Sequence, residues 1–222
     1  MILQNITKRY GDKTVLAIPQ YEFLPGRIYA VIGANGSGKS TLARIMAGAL
    51  AADSGEVKTA AGESIGYLPQ KSYAFALSVL QNTMLSQRPT PQNRMRAMEL
   101  LDSLGLSALA GQRANRLSGG ETARMALARV MMGEHRLLLL DEPTAAMDVE
   151  ATLLAEAAIR AYRDAHGAGV LLVTHSIRQA ARLADEVLFF RGGVLWESGS
   201  VGELLSSPKK RETKEFLDFY SE

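Results

Sequence analysis

Residues Gly33-Ala34-Asn35-Gly36-Ser37-Gly38-Lys39-Ser40 fit the pattern GxxxxGK(S/T), placed between a short apolar run and a helical pattern. Glycines at these positions let the backbone wrap closely, so that successive N–H groups point inward and cradle an anion. The helix that follows offers its N-terminal dipole to the same anion. Read this way, Gly33, Asn35, Gly36, Ser37, Gly38 and Thr41 hold a nucleotide, Lys39 sets a point charge on its β- and γ-phosphates, and Ser40 offers a hydroxyl to Mg²⁺. The competing reading, a plain flexible Gly-Ser loop, does not account for the strand before it and the helix after it.

A second constellation lies a hundred residues further on. Leu137-Leu138-Leu139-Leu140 is followed at once by Asp141 and Glu142, two carboxylates at the end of an apolar strand. Ligands of open α/β sheets bind at such ends. Asp141 suits a Mg²⁺ contact, direct or through water, and Glu142 suits a group that polarises water for attack on a γ-phosphate. The chemistry expected is phosphoryl transfer to water, in which positioning and charge stabilisation do most of the work.

These groups need elements to hold them. Ile28–Ile32 is a near-continuous apolar run, as a strand buried on both faces requires, and the pattern from Lys39 to Leu50 is helical. Val15–Ile18, Glu56–Thr59 and Ser64–Leu68 read as further strands, with turns at Gly11-Asp12 and Pro25-Gly26. Residues 71–132 change character: Thr90-Pro91 is a helix start and Gly105 a stop, around the helical spacing of MRAMELLDSL. Strand 137–140, helix 149–165, strand 170–173 and helix 177–184 then alternate, before a hairpin at Arg191-Gly192-Gly193 and a charged C-terminal helix.

Composition narrows the classes. The 222 residues carry 25 Lys+Arg against 23 Asp+Glu, a net +2 that advertises neither nucleic acid nor an anionic membrane. Apolar residues at 47% and charged residues at 22% are those of an ordinary globular chain. With no Cys there is no disulfide, iron–sulfur or thiolate zinc site. The N-terminus lacks the apolar core of a signal peptide, and no apolar run approaches the roughly 20 residues that cross a bilayer.

Two more segments carry a family resemblance. Leu117-Ser118-Gly119-Gly120-Glu121, continuing Thr122-Ala123-Arg124-Met125-Ala126-Leu127-Ala128-Arg129, resembles the signature of ABC-type ATPases, and Val173-Thr174-His175 resembles that family's switch-histidine loop. The order also matches: phosphate loop, Gln70 in Tyr67-Leu68-Pro69-Gln70, signature, acidic pair, Met147-Asp148, His175. The resemblance implies an α/β fold: a P-loop NTPase (RecA-like) core with an antiparallel β subdomain and an inserted α-helical subdomain. The whole chain, 1–222, would be one such domain, with the core and β subdomain at 1–70 and 133–200, the helical part at 71–132 and a helical tail at 201–222.

The resemblance also implies a head-to-tail homodimer around two MgATP. The site then comprises Lys39, Glu142, His175 and Gln70 as catalytic residues, with Ser40, Asp141 and Gln70 around the metal. Ser118, Gly119, Gly120, Glu121 and Asp148 would reach the ATP of the opposing copy. Ser118 and the N–H groups behind it open a helix, which suits a phosphate presented from outside. Tyr10 matches an aromatic that stacks on adenine, against the plainer reading of a surface Tyr near a turn. Glu121 departs from the family's more usual Gln. Either its charge tunes affinity for the opposing ATP, or it closes a capping box with Ser118, the reading we favour.

Among ABC proteins, the 48 residues from Gln70 to Ser118 leave no room for a long coiled coil, the chain has one cassette rather than two, and no basic stripe with interleaved aromatics marks a nucleic-acid groove. The expected role is the motor subunit of a transporter, on the cytoplasmic face of the cell membrane and docked to separate permease subunits. A small solute or ion is the expected import cargo, an oxyanion such as tungstate or molybdate by analogy, with a solute-binding protein as a candidate partner. A multi-subunit exporter and a soluble, non-transport ABC ATPase are the alternatives. Tyr73, Phe75, Leu77 and Leu80 are the candidates to line a groove for a helix of the permease, or else to pack the helical part.

Overall fold

The computed structural model describes residues 1–60 and 62–220. Strands β1 (Ile2–Tyr10), β2 (Lys13–Glu22), β3 (Ile28–Ile32), β4 (Ser54–Lys58), β5 (Ile65–Leu68), β6 (Leu137–Asp141), β7 (Gly169–Val173), β8 (Glu186–Arg191) and β9 (Val194–Ser200) form one sheet in the order β4-β1-β2-β9-β8-β3-β7-β6-β5. From β8 through β5 the neighbours run parallel, whereas β4, β1 and β2 pair antiparallel. The antiparallel part joins the rest where β2 meets β9 at Ala17 and Val194.

Burial explains the parallel strands. Leu137, Leu139, Leu171 and Val173 pack on one face with Leu42, Ala43 and Met46 of α1 (Lys39–Met46). Leu138, Leu140, Val170 and Leu172 pack on the other with α4 (Gly119–Met131) and α5 (Val149–His166). Side chains alternate across a strand, so a strand covered on both faces has no position left for a polar residue. Truncating Leu138 or Leu140, both fully buried, would leave a cavity costing about 2–5 kcal/mol.

Between β5 and β6 the regular elements are helical: α2 (Val79–Thr83), α3 (Pro91–Ser103), two short 3₁₀ turns and α4. Thr90 caps α3 by accepting from Asn93 N–H, with Pro91 at the first turn. After β7 come α6 (Ile177–Leu183) and, beyond the β8–β9 hairpin, α7 (Val201–Ser206) and α8 (Arg211–Tyr220).

Three expectations need correction. The N-terminal 32 residues hold a full strand, β1, that the apolar pattern does not announce, because its outer half is exposed. Helix α1 stops at Met46, four residues short of Leu50. The tail is two helices rather than one, and its last two residues, 221–222, lie outside the described part. Among the described residues no helix is long and apolar enough to cross a membrane.

Candidate functional site

The parallel register sets the site. Val31 pairs with Val173, Val173 with Asp141, and Leu140 with Leu68. Gly33, His175, Glu142 and Gln70 each follow within two residues of those positions, so they emerge along one edge of the sheet, on strands about 4.8 Å apart. A cleft of about 520 Å³ lies there, lined by Tyr10, Lys13, Val15, Asn35, Gly36, Ser37, Gly38, Lys39, Ser40, Thr41, Gln70 and Glu142.

The loop after β3 is built for backbone contact. Gly33 has φ +146°, and a Cβ there would sit 2.2 Å from the Phe190 carbonyl oxygen, so no other residue fits. Lys39 is buried, and its ammonium donates to the carbonyls of Gly33 (2.7 Å) and Ala34 (3.0 Å) within the curl of the loop. Burial lowers its pKa, and the nearby Glu142 and Asp141 charges oppose that shift.

Ser40 Oγ donates to Asp141 Oδ1 at 3.0 Å. Asp141 is 2% exposed, and burial raises its pKa while the Ser40 hydrogen bond opposes the rise. Hydroxyl and carboxylate oxygens are the hard donors that Mg²⁺ takes. Among the described residues no cluster of three or more acidic or His side chains forms a self-contained metal site. By its donor chemistry the Ser40–Asp141 pair fits a cation that would complete its shell with phosphate oxygens and water.

Glu142 adopts φ +52°, a left-handed backbone that is costly for a residue with a side chain. Its N–H donates to the Val173 carbonyl (2.9 Å), and its carboxylate accepts from His175 Nδ1 (2.8 Å). The Glu142 side chain lines the cleft and meets the imidazole of His175, which follows the neighbouring strand β7 and does not itself line the cleft. Gln70 lines the same cleft and is exposed. Tyr10 stands at the rim, 54% exposed, with Lys8 Nζ 5.8 Å from its ring centre. Lys13 and Val15 also line the cleft, outside every motif of the sequence. Their only signal is their place on the strand that follows Tyr10.

The signature residues sit elsewhere. Ser118, Gly119, Gly120 and Glu121 form the start of α4, and Asp148 caps α5 by accepting from Ala151 N–H (2.8 Å); none lines the cleft of its own chain. A Cβ on Gly120 would approach the Ala146 carbonyl oxygen to 2.8 Å, so the signature helix and the loop before Asp148 pack closely together. Ser118 N–H donates to Glu121 Oε2 (2.7 Å) and Glu121 N–H to Ser118 Oγ (3.2 Å), a complete capping box.

Those bonds, the Ser118 N–H first, hold the Glu121 carboxyl below its ordinary range. A carboxyl depressed on folding adds stability above its unfolded pKa, and this is lost as pH falls through the lower native value. Ser118→Ala is expected to lower unfolding stability by about 1 kcal/mol in a denaturant titration. Glu121→Gln keeps a capping side chain and should flatten only the acid limb. A several-fold change in ATP KM for Glu121→Gln at unaltered melting temperature would overturn the capping role.

The groove candidates divide. Tyr73 and Phe75 line a second cleft of about 420 Å³, together with Tyr67, Lys71, Arg129 and His135. Arg129 lies 5.3 Å from the Phe75 ring centre and donates to the carbonyls of Tyr73 and Asn82. Leu77 is exposed but lies off this cleft, and Leu80, 7% exposed, packs in the core of the helical part. Those two do not line this cleft: Leu80, on α2, packs inward, and Leu77, ahead of the α2 cap, lies outside the lining.

The family model of the ABC transporter matches residues 18–145. The tungstate uptake system ATP-binding protein TupC of Peptoclostridium acidaminophilum is 38% identical over 211 residues, covering 90% of this chain and 96% of its own. The aliphatic sulfonates import ATP-binding protein SsuB of Yersinia pestis is 37% identical, over 86% of this chain and 72% of that one. Among solved structures, the dimeric structure of a bacterial ABC transporter cassette matches with a TM-score of 0.81 at 26% identity, covering 90% of this chain and 99% of that chain.

Proposed function

The chain belongs to the ABC transporter family and is an ATPase of that family, and from this we propose that it is the motor subunit of an importer, hydrolysing MgATP in a homodimer to drive solute through separate membrane subunits. The observation that carries the reading is the split of the site: the phosphate loop, Ser40, Glu142 and Gln70 line one cleft, with Asp141 bonded to Ser40 and His175 to Glu142 behind it, while no residue of the Ser118 helix start lines that cleft. Two copies arranged head to tail supply to each other what each lacks.

In this role Lys39 and the loop amides bind the phosphates, and Tyr10 stacks on the base with Val15 and Lys13 beside it. Ser40 and Asp141 would hold Mg²⁺, with Gln70 at the same edge, and the charge such a cation supplies would offset that of the phosphates. Glu142 orients the attacking water and takes its proton, His175 steadies Glu142 and the γ-phosphate, and Ser118, Gly119 and Gly120 close the site from the second copy. Asp148, six residues after Glu142 and at the cap of α5, lies along the contact between copies in this role.

The names of the relatives favour an oxyanion-class cargo, with tungstate first because that match spans nearly the whole of both chains. The test is affinity isolation of the tagged protein from mildly solubilised native membranes, followed by mass spectrometry. A stoichiometric polytopic partner with a solute-binding protein is expected. Recovery as a soluble dimer alone, or with ribosomal or DNA-associated proteins, would sink the transport role. The cleft at Tyr73 and Phe75 is the proposed seat for a permease helix. Phe75→Ala should abolish recovery of the membrane partner while basal ATP hydrolysis persists; intact assembly with only a lowered melting temperature would refute it.

A further inference from the structure

A buried polar network outside the cleft ties together the two loops that carry Glu142 and His175. Gln179, 1% exposed, is the third residue of α6, and its N–H donates to Ser176 Oγ at the cap directly after His175. Its side-chain Nε2 reaches back to Thr144 Oγ1 (2.9 Å), two residues beyond Glu142, and to Glu156 Oε1 (3.4 Å) on α5. Glu156, also 1% exposed, accepts from Arg182 Nε (2.8 Å) and Nη2 (2.6 Å).

The chemistry of the network fixes its direction. An ionised carboxylate accepts only, so the Gln179 amide must turn its N–H₂ toward Glu156, which aims the same nitrogen at Thr144. A forked Arg–carboxylate pair holds Glu156 in one orientation behind it. Burying such groups stabilises a fold no better than well-packed apolar side chains would. What polar groups add here is a defined distance between two loops of different strands, the loops whose side chains meet at 2.8 Å as His175 and Glu142.

We propose that Gln179, held by Glu156 and Arg182, is a positioning residue that sets the Glu142–His175 geometry by tethering Thr144 to the start of α6. This rests on the assignment of Glu142 and His175 to the hydrolytic step. Gln179→Leu and Thr144→Val remove the same hydrogen bond from opposite ends, one retaining what the other loses. Each is expected to lower kcat roughly 10-fold, with MgATP affinity within about twofold of the parent, because only the reacting geometry shifts. The double variant should fall no further than either single one, the mark of a shared interaction.

A kcat within about twofold of the parent for both single variants, or losses that multiply in the double variant, would overturn the tether. Melting temperatures are recorded beside the kinetics; a variant that melts early with unaltered kcat counts against the proposal, and Thr144→Val covers the case in which Gln179→Leu does not fold. Hydrolysis by the unaltered homodimer is the reference. Normal turnover in Glu142→Gln would sink the underlying site assignment instead, so the two failures are told apart.

Discussion

Glu142→Gln is expected to bind MgATP at parental affinity, lose turnover by about 10²- to 10⁴-fold and accumulate as an ATP-bound dimer on gel filtration. The amide preserves shape, and its oxygen can still accept from His175 Nδ1, now 2.8 Å from the carboxylate. It cannot take a proton from water. The strained φ of +52° at this residue belongs to the backbone and survives the change, so the side chain still enters the cleft. Single-turnover hydrolysis and dimer fraction are the readouts. Normal hydrolysis would remove Glu142 from its role and leave the Ser40–Asp141 pair to account for catalysis.

Lys39→Ala should fail earlier, at binding. The ammonium is the fixed cation inside the loop, and a hydrogen bond to a charged group is worth about 1.5–3 kcal/mol, or roughly 10- to 150-fold in affinity. The two loop carbonyls that Lys39 now satisfies, those of Gly33 and Ala34, would also lose their donor. Calorimetric titration with MgATP separates this variant from Glu142→Gln: one loses affinity, the other turnover. Parental affinity in Lys39→Ala would mean that loop amides and metal alone hold the nucleotide.

How far the sequence discloses these features depends on whether a residue's surroundings are local. Ile28–Ile32, Leu137–Leu140 and Val170–Val173 are legible as strands because burial on both faces leaves continuous apolar runs, and β6 and β7 differ from them by only a residue at an end. The candidate site is legible for the same reason, since loop and acidic pair each follow such a run directly and His175 follows a third with one residue between. β1 is not legible: its nine residues mix polar and apolar types, and it exists through pairing with β2 across a tight turn and with β4 from distant sequence. Phe75 and Leu80 look alike in sequence, yet one lines a groove and the other fills a core, a distinction set by tertiary packing that the local pattern does not carry. The Thr144–Gln179–Glu156 network joins three segments and carries no motif at all.

The seam at Ala17 and Val194 has a consequence of its own. β2 is stitched to β9 by that single register pair and the Ala17 N–H bond to the Gly193 carbonyl, 2.7 Å, so the antiparallel flap has little ladder of its own tying it to the core. Tyr10 rides on the flap and the phosphate loop on the core. In the proposed role, an adenine on one and phosphates in the other would make the nucleotide a strut across the seam. The buried packing of Leu3, Ile6, Leu16 and Ile18 against Leu42, Val173 and Phe190 holds the flap on the core in either case; an occupied site of the proposed kind would add stiffness across the seam, and departure of the nucleotide would remove it.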